Sequence, residues 1–376
     1  MTRTPLPRPT LIPGLPRIWR SPGELQLGLD PAHAVVLQLP DRRTAQVLDL
    51  LDGRRPERSV LLRAAELGVP PDEARAVLDL LHRAGLVLPS SSLLPATLPA
   101  ATRHRLSGEA AALALDAAAQ TTSGARTDPS PARVFRRRHA ARVVLSGRGR
   151  LGATIAVALA ESGVGHVHPD LAGTVGPDEL AGAPLEPADV GSPRRAAVTA
   201  AIERAAPGTD THGARRMPAS LVVQLAHDEP TTLIATGHAA RRQPHLAVAV
   251  RDGTAVIGPL VPGGGTPCLN CLDLHRRERD AGWPGALAPA NPDAVEPCAV
   301  ATLLAATAYA TAEVLAFLDG RTPETLGSAM EITAPGRFRR RSWPPHPACE
   351  CQRRRRVPTF TGPSPHKHQT TKRRAE

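Results

Sequence analysis

Lysine is almost absent from this chain. Its 376 residues include only two, Lys367 and Lys372, both near the C-terminus. No chemistry placed in the core can therefore draw on an ammonium group. Cysteine is scarce too. Five thiols in so long a chain do not make a disulfide framework, and they direct attention to metal binding or a reactive thiol. The sequence opens without a secretory apolar region, and no apolar run reads as long enough to span a bilayer, so the expected compartment is the cytosol. Basic charge is missing where a nucleic-acid reader would need it. The formal net charge is +11, of which residues 1–20 carry +4 and residues 352–376 carry +7. Residues 21–351 are formally neutral, so the basicity belongs to two terminal tails and a nucleic-acid partner is not expected.

What is present is length for two domains. Residues 1–22 read as a disordered basic arm. Leu25, Leu27 and Leu29 alternate, as do Val35, Leu37 and Leu39, which predicts two short strands. Three small helices should follow. One runs over 44–52, one opens at Ser59 as N-cap, and one opens at Pro71 with Ala74, Val77, Leu78 and Leu81 on one face. With a returning strand at 86–88, residues 23–88 form a winged-helix-like α+β domain. Its third helix exposes Glu73, Arg75, Asp79, His82 and Arg83, a mixed charge that suits a peptide or protein partner better than DNA. Residues 89–132 read as a linker containing one Ala-rich helix.

The second domain begins with a short apolar strand, Ala141–Leu145. It runs into Gly147-Arg-Gly149-Arg-Leu-Gly152, a helix, and a second strand ending at Asp170. A G-x-G-x-x-G turn between strand and helix lets a phosphate approach the helix N-terminus, and the acidic residue falls where it could accept from a ribose hydroxyl. Further on, a strand over 221–225 delivers His227 and Asp228, and Asp252-Gly253 marks a hairpin. The hairpin leads to Cys268-Leu-Asn-Cys271. A long apolar helix spans 299–318, preceded by Cys298, and after two strands comes Cys349-Glu-Cys351. Two close cysteine pairs, far apart in sequence, suit a structural four-thiolate zinc site.

This order of parts resembles the ThiF/MoeB/ubiquitin-activating family over roughly residues 135–352. The run from Cys268 to Pro284 is more narrowly similar to ThiF-like proteins of azole-forming peptide pathways in high-GC bacteria. The resemblance implies an α/β, Rossmann-like domain over 133–352 with a zinc clip of Cys268, Cys271, Cys349 and Cys351, and a disordered basic tail over 353–376. It implies a nucleotide site (ATP with Mg2+) at Gly147, Gly149, Gly152 and Asp170, with Asp228 as the magnesium-binding aspartate. It also implies a leader-peptide partner, a YcaO-type modifying enzyme and a homodimer. The chain departs from the family at three points. Its second cysteine pair is Cys-x-Cys, which makes His346 the reserve ligand, the Asn-x-x-Arg-Gln segment after Asp170 is absent, and Arg194 or Arg195 stands where the family has a lysine. Adenylation needs cations placed around the transferring phosphates, so the expectation is a peptide-binding protein with degenerate adenylation machinery. An active ATP-dependent adenylyltransferase is the alternative.

Overall fold

The computed structural model describes residues 4–30, 34–122, 130–213, 217–227, 229–283, 295–334 and 336–351. The N-terminal half begins with β1 (Pro9–Leu11), β2 (Arg17–Ser21), β3 (Glu24–Leu27) and β4 (Val35–Gln38). Strands β2, β3 and β4 form an antiparallel sheet in that order. Its period-2 pattern sends Leu25, Leu27 and Leu37 into one buried cluster. A 3-10 helix over Arg42–Leu50 is capped by Asp41, whose carboxylate accepts from the Arg43 N–H. It is followed by α1 (Glu57–Glu66) and α2 (Pro71–Arg83), with Ala74, Val77, Leu78 and Leu81 of α2 buried as their spacing predicts. Then β5 (Val87–Pro89) returns to pair antiparallel with β1.

Four expectations need correction here. The arm over 1–22 is ordered from Pro9 to Ser21, because β1 pairs with β5 and β2 with β3. Leu6, Leu11 and Ile12 join the same core, so distant strand partners override the Pro- and Arg-rich composition. The first long helix opens at Glu57, ahead of Ser59. The Glu57 carboxylate accepts the Leu6 N–H at 2.6 Å, which ties the helix start to the N-terminal segment. The stretch read as a linker holds α3 (Ser90–Leu93), α4 (Ala100–Arg105) and α5 (Ser107–Thr122). Ala111 and Ala114 pack on the N-terminal core, while Leu106 and Ala110 pack on Phe135 of the next element. Leu29 lies beyond the end of β3 and is exposed.

The second half starts with α6 (Pro131–Ala140), β6 (Arg142–Gly147), α7 (Leu151–Glu161) and β7 (His166–Leu171). It continues through α8 (Arg194–Ala205), β8 (Leu221–Gln224), α9 (Thr231–Arg241), β9 (His245–Arg251) and β10 (Thr254–Val261). It closes with α10 (Leu269–Arg279), α11 (Val300–Asp319), β11 (Ser328–Ala334) and β12 (Arg337–Ser342). Seven strands make one sheet in the order β12-β11-β10-β9-β8-β6-β7. The four from β9 to β7 are parallel, and β9 through β12 are antiparallel. Asp252 and Gly253, both at positive φ, form the tight turn between β9 and β10. Because β6 is followed in sequence by a strand on one side and later by one on the other, the chain reverses at β6/β8. A crevice opens there, at the carboxyl ends of the strands.

Helix α11 is long and apolar enough to cross a membrane by length and composition, contrary to the sequence expectation. Its Leu303, Ala306, Ala310 and Val314 are buried in the main core beside Ile155 and Leu159 of α7, which is how a central core helix passes that test. The basic tail beyond Cys351 lies outside the described residues.

Candidate functional site

The Gly-rich turn is built by close approach. Gly147 (φ 123) and Gly149 (φ 114) adopt backbone conformations that side chains rarely take. A Cβ on Gly147 would stand 2.5 Å from the Ala226 carbonyl oxygen, so the turn is pressed against the exit of β8. The contact is sealed by the Arg148 N–H donating to that same oxygen at 2.9 Å. Gly152 serves packing, since a Cβ there would meet Leu171 and Leu225 at 3.1 Å. Gly147→Ala is expected to destabilise the chain by about 2–3 kcal/mol through combined strain and clash, read as a lowered denaturant midpoint at unchanged slope.

A cavity of about 860 Å³ opens at this end of the sheet. Gly149, Arg194, Gln224, His227, Arg251 and Trp283 are among its lining residues. Asp170 is exposed at the end of β7, outside that lining. Asp228 lies outside the described residues. Gln224 is held in place, with its Nε2 donating to the Ser146 and Leu225 carbonyls and its Oε1 accepting from His238 Nε2 at 3.1 Å. His238 stacks on His245 at 4.3 Å, and burial pushes His238 down to about 4 and pushes His245 down as well.

Arg194 lines the cavity but is already engaged. Its Nε and Nη2 donate to the Glu179 carboxylate at 3.0 and 2.6 Å, its Nη2 to the Thr174 carbonyl at 2.8 Å, and its Nη1 to the Ala172 carbonyl. Its guanidinium clamps the loop after β7 and has little left to offer a phosphate. Arg195 is exposed.

One residue at the turn had no signal in the sequence. Glu296 Oε2 accepts from the backbone N–H of Arg150 at 2.9 Å. A Cβ on Gly149 would lie 3.0 Å from one Glu296 oxygen and 3.3 Å from the other. The Arg150 guanidinium reaches on to the carbonyls of Cys298 at 2.9 Å and Ala181 at 3.0 Å. Burial pushes the Glu296 carboxyl up. Cys298 is half-buried, and burial pushes its thiol up, away from thiolate character.

The second constellation is the thiol cluster. Cys268 precedes α10 and Cys271 sits in its first turn. Cys349 and Cys351 come in after β12. Their sulfurs stand 3.9 Å (Cys268–Cys271), 3.6 Å (Cys268–Cys349) and 3.4 Å (Cys271–Cys351) apart, and all four lie within 4.8 Å of one another. None is in a disulfide. A tetrahedral zinc with bonds of about 2.3 Å separates its sulfurs by about 3.8 Å, so the cluster fits that ion. Asn270 Nδ2 donates to Cys349 Sγ at 3.4 Å. The Cys268 thiol, itself pushed up, donates to Cys271 and holds that thiol down to about 4, with the His346 N–H adding to the effect. Such N–H donors favour thiolate ligands. The reserve ligand, His346, is turned to other partners. Its Nδ1 accepts from the Ala348 N–H at 3.1 Å, and its Nε2 faces Glu278 at 2.8 Å. The ligand atoms of His275, Glu278 and His346 lie within 4.8 Å of one another and form a separate group beside the thiols.

These parts define a class: a Rossmann-type α/β protein with a glycine-cradled cavity, a four-thiol clip and an N-terminal domain that carries its own small sheet. No protein-family model matches the sequence, and no curated protein does. Solved structures do match. E. coli MccB with ATP aligns over 91% of this chain and 99% of that chain, with TM-score 0.57 and 16% identity. E. coli MccB with selenomethionine MccA aligns over 92% and 99%, with TM-score 0.57 and 18% identity. PaaA aligns over 87% and 98%, with TM-score 0.58 and 16% identity. At such identities the likeness is one of fold, a ThiF-like fold that takes in both halves of the chain.

Proposed function

We propose that this chain captures a precursor peptide with its N-terminal domain and presents it to a partner modifying enzyme of the YcaO type. Residues 23–88 are read as a winged-helix-like capture element. The observation that carries this is the outer edge of β4. Among the described residues β4 has one ladder partner, β3, and its sequence Val35-Val-Leu-Gln38 holds neither charge nor proline. The opposite edge strand, β2, carries Arg17 and Arg20. Charge and proline are what blunt an edge against strand addition, so β4 is the edge suited to accept an extended peptide. The fold likeness supports the reading, because the matched MccB structures include one with MccA and cover both halves.

In this reading zinc in the four-thiol clip is structural, with all positions filled by protein. The chain acts in the cytosol, where free thiols persist. It works as a homodimer, for which the exposed Val300 and Leu304 of α11 offer apolar surface. Adenylyl transfer is degenerate, since the core has no lysine and Arg194 is committed to Glu179. The alternative is ATP-dependent adenylyl transfer to the peptide, which the 860 Å³ cavity beside Gly149 favours. ATP–pyrophosphate exchange in the presence of the bound peptide would decide for it.

The test of capture uses fluorescein-labelled peptides from short reading frames beside the gene, titrated with the full chain by anisotropy. One of them is expected to bind saturably. Val36→Lys, which places a charge on the β4 edge, should weaken it by roughly tenfold or more with unchanged circular dichroism. No binding by any of these peptides, or equal binding by the variant, would overturn the reading.

A further inference from the structure

The first turn of a helix presents backbone N–H groups with no partner in the helix, and the aligned peptide dipoles favour an anion there. In a glycine-rich turn ahead of such a helix, the missing side chains let a phosphate lie against the backbone. At α7 the glycine-rich turn has an occupant at the N-cap residue Arg150, just ahead of the first helical turn. Glu296 Oε2 takes the Arg150 N–H at 2.9 Å, and both carboxylate oxygens lie against Gly149, 3.0 and 3.3 Å from where its Cβ would stand. The carboxylate thus sits in the space that glycine at position 149 leaves open.

Glu296 is also held in place by the residue it caps. The backbone of Arg150 binds the Glu296 side chain, while the Arg150 guanidinium, itself buried, binds the Cys298 carbonyl at 2.9 Å. One residue therefore grips the 296–298 segment at two points and fastens its far side to the Ala181 carbonyl at 3.0 Å. The charged neighbours of the carboxyl are Arg150, Glu179 and Arg194, and Glu179 and Arg194 already neutralise each other.

We propose that the α7 N-terminus is an anion site whose resident ligand is the chain's own Glu296 carboxylate, so that a nucleotide phosphate binds only by displacing it. A phosphate and a carboxylate cannot share one N–H cradle, both for volume and for like-charge repulsion at low local dielectric. The inference deepens the proposed degeneracy of adenylyl transfer, and it rests on reading the Gly147–Gly152 turn as the phosphate end of a nucleotide site. It gives a physical reason for a fold of this kind to hold peptide without transferring adenylate.

The test is titration calorimetry of full-length wild type, Glu296→Gln and Glu296→Ala with ATP and Mg2+. Glutamine keeps the size and one acceptor but removes the charge, so it carries the test if the alanine variant folds poorly. Both variants are expected to bind ATP at least roughly tenfold more tightly than wild type. Inorganic pyrophosphate should show the same gain, and adenosine should show none. Equal ATP affinity in all three proteins, tighter binding by wild type, or an equal gain with adenosine would overturn the proposal. Peptide anisotropy on the same proteins is a separate readout. Loss of peptide binding would count against the capture reading, while unchanged ATP affinity would count against Glu296 as the resident anion.

Discussion

Replacing Cys271 with serine should strip the clip of metal. Wild type purified from cells is expected to carry about one zinc per chain, and Cys271→Ser close to none, because a serine hydroxyl stays protonated where a thiolate ligates. Cys271 is fully buried and stands 3.9 and 3.4 Å from the sulfurs of Cys268 and Cys351. The cluster joins Val261, at the end of β10, to Trp343 and Leu274, so it connects the crossover before α10 to the chain after β12. Metal loss should therefore loosen the seven-stranded sheet from its antiparallel side. A fall in the thermal midpoint of about 10 °C or more is expected, and a chelator should produce the same fall in wild type. Cys298→Ser is the control, because that thiol lies outside the cluster. Zinc content and midpoint unchanged in Cys271→Ser would remove the metal from the account.

The second large effect is expected at Arg138, which joins the two halves of the chain. Its Nε and Nη2 make a two-pronged contact with Asp319 at 2.9 and 2.7 Å, and its Nη1 reaches Glu109 at 2.7 Å and the Ser162 carbonyl at 3.0 Å. The side chains of Arg138 and Asp319 are 3% and 4% exposed. Removing one partner leaves a charge without solvent or counter-ion, which costs about 3–5 kcal/mol. Arg138→Ala should thus unfold about 10 °C lower in a thermal scan. The double variant Arg138→Met with Asp319→Leu should recover most of the loss, since replacing a buried pair by apolar groups is close to neutral. A double variant as unstable as Arg138→Ala would show that the site depends on shape and not on charge pairing.

What could be read from the sequence and what could not divides by range. The Gly147–Gly152 turn, the Asp252-Gly253 hairpin and the apolar face of α2 are local, and each reports its own backbone geometry or helical spacing. The cysteine pairs could be read because each pair is itself close in sequence, so only their meeting had to be inferred. Glu296 could not be read, because it acts 146 residues away from Arg150 and its neighbours Val295 and Pro297 look like any loop. Arg138 and Asp319 are 181 residues apart and look like ordinary helix-end charges. The same limit explains the N-terminal arm. Residues 9–11 look like a proline-rich tail until β5 arrives to pair with them. In α5 the buried contacts are made by alanines, which give too weak an apolar stripe to separate a packed helix from a linker. Arg194 lines the cavity and is paired with Glu179, an engagement that no local pattern announces. Its position opposite Glu179 depends on the loop after β7, which no periodic pattern describes.

In the proposed function the β4 edge receives the peptide. Hydrogen exchange of the full chain, with and without the labelled peptide that binds it, tests this most directly. Slowed exchange is expected over Val35–Gln38, with the backbone around Gly147–Gly152 unchanged. Protection confined to the Gly-rich turn and its cavity, or no protection at Val35–Gln38 when the peptide is saturating, would contradict it.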